Sequence, residues 1–169
     1  MKLRISIFFL VVVCQLSCQQ KMKNSTAQNS RNESIEKIIK SDEQWRTELN
    51  EIEYNVLREA GTERAFTGDL WDHKEDGIYV CRGCQLPLFD STTKFKSGTG
   101  WPSYYQPYNT VNVAEDTDFI LGYARTEIHC ARCGGHLGHV FKDGPPPTGL
   151  RYCINSVSLD FNKREGNKP

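Results

Sequence analysis

The 169-residue sequence lacks an excess of charge of either sign, because 21 Lys and Arg residues balance 21 Asp and Glu residues. This balance argues against a nucleic-acid-binding protein, which usually presents a broad basic surface. The sequence also has no run of 18 apolar residues, so it does not encode a bundle of membrane-spanning helices. No internal repeat occurs apart from two similar cysteine pairs. The length therefore indicates one domain of ordinary size with extensions.

The first 17 residues have the order of an export signal. Two basic residues precede an apolar stretch, Ile5 to Val13, that is too short to span a bilayer. Ser17 then stands before Cys18, which resembles a bacterial lipoprotein cleavage site. We therefore predict a signal peptide at residues 1–17, a lipid on Cys18 as the only membrane attachment, and a location at the bacterial cell envelope, facing the periplasm in a Gram-negative cell. An ordinary cleaved signal and an uncleaved anchor remain alternatives, because Gln15 stands where such sites usually carry Leu.

Residues 18–40 are predicted to form a flexible linker. They are rich in Gln, Lys, Asn and Ser, with almost no large apolar residue before Ile35. Such a segment cannot bury enough surface to offset the entropy lost on ordering. The folded domain is therefore predicted at residues 41–165.

The domain is expected to start with helices and to continue as strands. Ser41 and Gln44 have the spacing of a capping box, and Trp45, Leu49 and Ile52 follow at helical spacing. A second short helix is expected to end near Gly61. Beyond it, runs at 77–81, 119–123 and 151–159 are β-rich and bounded by turn residues, and the prolines at 145–147 indicate an extended loop. The pattern predicts a mainly β domain with a helical N-terminal cover.

Four cysteines have the spacing of a metal site. Cys81 and Cys84 form one C-x2-C pair, and Cys130 and Cys133 form another after a gap of 45 residues. Two such pairs complete a tetrahedral zinc site, and an all-cysteine site is structural rather than catalytic. Two disulfides are the first alternative, since an exported protein permits them. A thioredoxin-like redox pair is the second, although no βαβ pattern surrounds either pair.

The remaining domain cysteine, Cys153, has polar neighbours. In a strand, Arg151, Cys153 and Asn155 would share one face. A cation beside the thiol favours the reactive thiolate, so Cys153 is a candidate nucleophile. A buried, inert cysteine is the alternative.

Two further motifs fit this chemistry. His136 and His139 follow the second cysteine pair, either as proton donors and acceptors for Cys153 or as spare metal ligands. A cysteine with a histidine suits a hydrolase as well as a redox thiol, and the residues alone do not decide between them. Trp101 lies in a Gly-rich loop before a proline, where its indole would form an apolar wall with one polar group. Trp45 and Trp71 are better candidates for the core.

The motifs together resemble the B-type peptide methionine sulfoxide reductases. They are Gly-Thr-Glu-Arg-Ala-Phe-Thr-Gly at 61–68, Gly-Trp-Pro-Ser at 100–103, Cys-Ala-Arg-Cys-Gly-Gly-His-Leu-Gly-His-Val-Phe at 130–141 and Gly-Leu-Arg-Tyr-Cys-Ile-Asn-Ser at 149–156. The resemblance implies two antiparallel sheets with short N-terminal helices and one structural zinc per chain on the two cysteine pairs. It also implies thiol-dependent reduction of methionine-R-sulfoxide in proteins, as repair of oxidative damage.

The resemblance implies a role for each site residue. Cys153 matches the nucleophile that attacks the sulfoxide sulfur and is left as a sulfenic acid. His139 and Asn155 match residues that polarise or protonate the sulfoxide oxygen, with His136 in the same network. Trp101 matches the indole that packs on the substrate methyl group.

Phe141 and Arg151 complete the predicted substrate site. An apolar wall on one side and a donor cluster on the other would select one epimer, because the other leaves polar groups unpaired.

One position departs from the family pattern. Many members carry a resolving cysteine in the loop before Gly-Trp-Pro-Ser, where this chain has Thr99. The sulfenic acid on Cys153 would then be reduced by an external thiol, either a thioredoxin-like protein or a small thiol. We expect a monomer whose partners are this reductant and oxidised proteins or peptides. The competing functions are a zinc-organised peptide-binding module without catalysis and a cysteine–histidine hydrolase.

Overall fold

The computed structural model describes residues 35–119 and 121–165. The predicted signal peptide, Cys18 and the linker as far as residue 34 lie outside the described residues. Within the described part, no helix is long and apolar enough to cross a membrane. Residues 35–40, assigned above to the linker, contact the domain: Ile35 and Ile38 pack against its core. The backbone N–H of Ile38 also donates to the carbonyl of Arg132 at 2.9 Å.

Two short helices open the domain, α1 at Asp42–Glu48 and α2 at Glu51–Glu59. The predicted capping box is confirmed, since Ser41 and Gln44 each accept a hydrogen bond from the backbone N–H of the other. A second capping box, Asn50 with Glu53, starts α2 directly afterwards. The expected periodicity through Ile52 is therefore interrupted, and Ile52 lies on α2 with half of its surface exposed.

Eight strands follow in chain order: β1 Gly77–Cys81, β2 Pro87–Asp90, β3 Ser103–Tyr104, β4 Val113–Asp118, β5 Arg125–Cys130, β6 His136–Phe141, β7 Arg151–Ile154 and β8 Leu159–Lys163. They form a three-stranded sheet in the order β2-β1-β8 and a five-stranded sheet in the order β3-β7-β6-β5-β4. Every pairing is antiparallel. The prediction of a mainly β fold with two antiparallel sheets and N-terminal helices is confirmed.

Two predicted strand runs are wrong in their bounds. Phe119 and Tyr123 lie between β4 and β5, where Gly122 donates its N–H to the Phe119 carbonyl at 2.8 Å. The true strand β4 is polar because it lies at the sheet edge and packs little apolar surface. The run at 151–159 is two strands of different sheets, β7 and β8, separated by a 3-10 turn at Ser156–Ser158.

The core lies between the two sheets and is rich in aromatic rings. Tyr104 stacks on Phe89 with ring centroids 4.3 Å apart and meets Tyr79 edge-on at 5.2 Å. All three are fully buried, and burying each ring contributes about 1.5–3 kcal/mol. Trp45 on α1 is also buried, as predicted. This core supports one face of the five-stranded sheet and leaves the other face available for the functional residues.

Candidate active site and metal centre

The two cysteine pairs form matching turns at the ends of β1 and β5. In each turn the residue after the second cysteine has a left-handed backbone, Gln85 with φ 59° and Gly134 with φ 69°. Each donates its N–H to the carbonyl of the first cysteine in its pair, at 2.8 Å and 2.9 Å respectively. Because β1 and β5 belong to different sheets, the four thiols join the two layers of the domain.

The sulfur positions fit a tetrahedral zinc ion. All four ligand atoms lie within 4.8 Å of one another. The Cys81 and Cys133 sulfurs are 3.7 Å apart, and those of Cys84 and Cys130 are 3.4 Å apart. Zinc bonded to sulfur at about 2.3 Å separates its ligands by about 3.8 Å in a tetrahedron. All five cysteines of the described residues are free thiols, so the two-disulfide alternative is not supported.

The electrostatics of the cluster also call for a cation. Hydrogen bonding with the neighbouring sulfurs, Cys130 first, raises the pKa of Cys81 well above its ordinary value. Hydrogen bonding from Cys130 and Cys81 lowers the pKa of Cys133. Four neighbouring thiols, three of them buried, cannot all ionise beside one another without a compensating positive charge. The predicted zinc ligands therefore fit a structural metal, and the closed set of four leaves no coordination position for substrate.

One row of residues crosses the five-stranded sheet and contains Cys153. The strand register aligns Ser103 on β3, Cys153 on β7, His139 on β6, Glu127 on β5 and Asp116 on β4. Directly opposed residues project to the same face of a sheet. The predicted pairing of a cysteine with a histidine thus arises from adjacent strands, although 14 positions separate Cys153 from His139 in sequence.

The Cys153 thiol is held between polar groups in a largely buried position. Its sulfur lies 3.8 Å from the Thr99 hydroxyl oxygen. Burial raises the pKa of the Cys153 thiol above its ordinary value, against the opposing effects of Thr99, Arg151 and Ser103. Arg151 therefore acts on the thiol in the predicted direction, but the effect of desolvation is larger, so the net shift of the Cys153 pKa is upward.

Arg151 is fixed in place by two neighbours. Its guanidinium forms two hydrogen bonds to the Asp143 carboxylate, both 2.9 Å long, and lies 4.4 Å from the Phe141 ring centroid. Arg151 and Phe141 are directly paired on β7 and β6, two residues along from Cys153 and His139. The predicted substrate residues Phe141 and Arg151 thus share the face of the nucleophile.

Each site histidine is hydrogen-bonded to a carboxylate that sequence reasoning missed. The His139 Nε2 pairs with Asp118, which also accepts two 3.0 Å hydrogen bonds from Arg125. The His136 Nδ1 lies 2.5 Å from a Glu127 carboxylate oxygen. A carboxylate on one ring nitrogen fixes the proton there and leaves the other nitrogen as an acceptor. Both acids come from β4 and β5, and only the strand pairing brings them to the histidines.

His136 is held as a neutral imidazole. It is 5% exposed, and burial lowers its pKa despite the neighbouring Glu127 carboxylate. Its Nε2 atom is buried and has no hydrogen-bond partner among the described residues. With the proton on Nδ1 donated to Glu127, this free nitrogen is an acceptor. His136 is bonded to a carboxylate rather than placed in the thiol cluster, so its role as a spare metal ligand is not supported.

Glu63, in the first family motif, connects several parts of the site. Its carboxylate accepts hydrogen bonds from the backbone N–H groups of Ser156 at 2.5 Å and Val157 at 2.9 Å. Its carbonyl accepts a 3.2 Å hydrogen bond from the Trp101 indole, and its N–H donates to Asn155 at 3.0 Å. This hydrogen bond orients the Trp101 indole through its one polar group.

Asn155 differs from the expectation that it shares a strand face with Cys153. Strand β7 ends at Ile154, and Asn155 is buried beyond it. Its amide donates to the Leu137 carbonyl at 3.0 Å, and its oxygen accepts from Glu63. These hydrogen bonds connect β6 to the first family motif through Asn155. In the described structure, Asn155 therefore positions the end of β7 that follows Cys153.

Taken together, the two-sheet fold, the four-thiol metal centre and the separate thiol beside a histidine define a zinc-stabilised thiol enzyme. The profile of the SelR domain matches residues 49–163. The chain therefore belongs to the SelR family, which confirms the predicted relationship to the B-type methionine sulfoxide reductases.

Curated relatives cover most of this chain and are themselves covered almost completely. The "Peptide methionine sulfoxide reductase MsrB" of Thiobacillus denitrificans is 60% identical over 126 residues, 75% of this chain and 96% of that protein. The proteins of that name from Leptospira interrogans and Methanosarcina mazei are 56% and 55% identical, over 75% and 76% of this chain and 96% and 92% of their own lengths. The similarity thus extends across bacterial and archaeal relatives.

Proposed function

We propose that this protein reduces methionine-R-sulfoxide in oxidised proteins back to methionine, with Cys153 as the nucleophile. The observation that carries the proposal is the position of Cys153: it lies outside the metal cluster and directly opposite His139 in the sheet. Membership of the SelR family and the names of the relatives support the same activity. The biological role is repair of oxidised methionine.

The first step forms a bond between the Cys153 sulfur and the sulfoxide sulfur. The thiol proton and the sulfur–oxygen bond electrons pass to the sulfoxide oxygen, which leaves the methionine sulfur as hydroxide and bonds to the Cys153 sulfur. The bond between the two sulfurs breaks with its electrons on the methionine sulfur, so methionine leaves as the thioether and Cys153 remains as a sulfenic acid. Cysteine sulfur is oxidised by two electrons and the sulfoxide is reduced by two, so the step balances. Two equivalents of an external thiol then return Cys153 to the thiol and release a disulfide and water.

The neighbouring groups lower the barrier to this transfer. His139 bonds to Asp118 through Nε2 and lies opposite Cys153, so its Nδ1 is left to accept the thiol proton and pass it to the sulfoxide oxygen. His136 belongs to the same network, with its ring centroid 5.6 Å from that of His139. Trp101 and Phe141 provide apolar surface for the substrate methyl group, and Arg151 stabilises the thiolate as it forms.

The zinc centre has no part in the reaction. When bound, the ion supplies a cross-link of four thiolates between the two sheets. Cys81, Cys84, Cys130 and Cys133 hold it, and they leave Cys153 as the reactive thiol of the described residues.

We further propose that the chain is exported and acts as a monomer. Residues 1–17 would be removed as a signal peptide, and a lipid on Cys18 would attach the enzyme to the cell envelope. Residues 35–40 lie along the domain surface, so residues 18–34 would provide the tether. Radiolabelled palmitate incorporated by the full chain, and lost in Cys18→Ala, would support the lipid anchor; no incorporation would contradict it.

The activity is tested with a dabsylated peptide that contains methionine sulfoxide as resolved R and S epimers, with dithiothreitol as the reductant. We expect reduction of the R epimer alone, measured by HPLC as conversion of the sulfoxide peptide to the methionine peptide. The peptide-binding module predicts binding without reduction, and the hydrolase predicts cleavage of the peptide. Either of those outcomes would overturn the proposal.

A further inference from the structure

A cavity of about 530 Å³ lies beside the candidate active site. Aromatic rings form a large part of its walls, beside polar and charged side chains, and the lining includes Phe66, Trp71, Tyr79, Lys94, Phe95 and Trp101. This volume falls within the range of about 300–1,000 Å³ found for small-ligand pockets. Trp71, predicted to be a core residue, is only partly buried because it forms a wall of this cavity.

The loop at 97–101 is shared by the cavity and the active site. Ser97, Gly98, Gly100 and Trp101 line the cavity, while Thr99 between them contacts the Cys153 sulfur. When the sulfoxide of a peptide substrate lies at Cys153 beside Trp101, the peptide residues that flank the methionine sulfoxide are therefore within reach of the cavity.

Phe66 is exposed at the mouth of the cavity in a strained conformation. Its φ is 66°, in the left-handed region that bulky side chains rarely adopt. The backbone N–H donates to the Gly100 carbonyl at 2.9 Å, and the ring meets Trp71 edge-on at 5.3 Å. A Cβ atom on Gly100 would lie 2.8 Å from the Phe66 ring. Glycine or asparagine would form this turn more easily, and yet a phenyl ring with 56% of its surface exposed is held there.

The charges around the cavity favour a neutral, apolar guest. The Lys94 ammonium donates to the carbonyls of Leu70 at 2.7 Å and His73 at 2.6 Å, so it is not available to a bound anion. The lining carries both acidic and basic side chains, among them Asp72 and Lys96. A surface with mixed charges and aromatic walls suits a polypeptide segment with an apolar side chain.

We propose that this cavity is a substrate subsite that binds an aromatic or large aliphatic side chain within a few residues of the methionine sulfoxide. The inference rests on the proposed reductase function and extends it, since it names the kind of segment that the enzyme prefers. Phe66 and Trp71 hold the flanking side chain, and Trp101 separates it from the sulfoxide.

Two acetylated pentapeptides test the subsite, each with methionine-R-sulfoxide at its centre and either Phe or Ser on both sides. We expect kcat/KM for the Phe peptide to exceed that for the Ser peptide by about tenfold, which corresponds to about 1.4 kcal/mol. Phe66→Gly retains the left-handed turn without the ring and should reduce this ratio to below about twofold. Phe66→Asn, which tolerates the same backbone, provides a second variant if the glycine loosens the loop.

Ala60→Gly is the matched control, because Ala60 also has a left-handed backbone, with φ 53°, and does not line the cavity. It should leave the ratio of the two peptides unchanged. Dissociation constants of both peptides for Cys153→Ser protein, measured by calorimetry, separate the subsite from catalysis. Tighter binding of the Phe peptide that is lost with Phe66→Gly supports the subsite even if no reduction occurs. Equal constants for the two peptides, or a preference that survives Phe66→Gly, would overturn it.

Discussion

Thr99 and Cys153 lie side by side, with the threonine hydroxyl oxygen 3.8 Å from the cysteine sulfur. Thr99 stands where many relatives of this family carry a resolving cysteine, so the structure places that position within reach of the nucleophile. A thiol in place of this hydroxyl would lie near the Cys153 sulfur, as disulfide formation requires.

The first prediction concerns this pair. After one turnover without reductant, the wild-type protein should carry a sulfenic acid on Cys153, detected as a dimedone adduct by peptide mapping. Thr99→Cys should replace the adduct with a disulfide between the introduced thiol and Cys153, whereas Thr92→Cys, on an exposed turn, should leave it unchanged. A wild-type disulfide between Cys153 and a cysteine of the zinc cluster would contradict the prediction.

Cys153→Ser should abolish reduction while the fold and the zinc remain. A hydroxyl is a far weaker nucleophile than a thiolate, and loss of the nucleophile should lower kcat by a factor on the order of 10⁴ or more. Zinc content by atomic absorption and Tm should match the wild type, because Cys153 lies outside the metal cluster. Substantial remaining activity would show that another residue is the nucleophile.

Replacement of a zinc ligand, unlike replacement of Cys153, should change both the zinc content and the Tm. Cys84→Ser should lower zinc content and Tm together, because the cluster links β1 to β5 across the two sheets. A loss of about 3 kcal/mol would lower Tm by roughly 10 °C in a domain of this size. Wild-type protein free of zinc, with disulfides within the two pairs, would refute the structural-metal assignment.

The reactivity of Cys153 should rise with pH. Burial raises the thiol pKa, so the thiolate fraction stays low at neutral pH and increases as the pH passes the raised pKa. Alkylation of Cys153 by iodoacetamide should therefore have its inflection above the ordinary value of about 8.5. Arg151→Met should move it further upward, because a cation that stabilises the thiolate is lost.

Arg82→Met is the control for this titration, since Arg82 pairs with Glu53 and Asp160 rather than with the thiol. The inflection should remain unchanged in that variant. An inflection below the ordinary thiol value in the wild type, or no change in Arg151→Met, would be inconsistent with the described environment.

Asp118 is expected to act through His139. Asp118→Asn removes the charge that holds the Nε2 proton, and should lower kcat by about 10-fold to 100-fold with little change in Tm. Nitrogen chemical shifts of His139 report the change of tautomer directly, which a purely structural role would not alter. Asp116→Asn, two residues along the same strand, should retain activity within about twofold. Unchanged histidine shifts in Asp118→Asn would exclude the positioning role.

The chemistry of this protein could be predicted from its sequence because each reactive unit is local. A C-x2-C pair places two thiols on one turn, and the Arg-Tyr-Cys run places a cation and a thiol on one strand face, whatever surrounds them. The same locality explains the correct capping box at Ser41 and Gln44. Family motifs in unbroken order then supplied the reaction, which spacing alone left open between a hydrolase and a reductase.

The partners of these residues depended on the tertiary structure. Asp118 and Glu127 reach their histidines through the register of β4, β5 and β6, and no pattern along the chain specifies that register. The edge position of β4 removes the apolar alternation that marks a strand, so the apolar turn that contains Phe119 resembles a strand in sequence more than β4 does. Burial of Cys153 and the exposure of Phe66 likewise follow from packing between distant segments. Local spacing determined which groups carry the chemistry, whereas long-range strand pairing decided their protonation, their orientation and the shape of the surface around them.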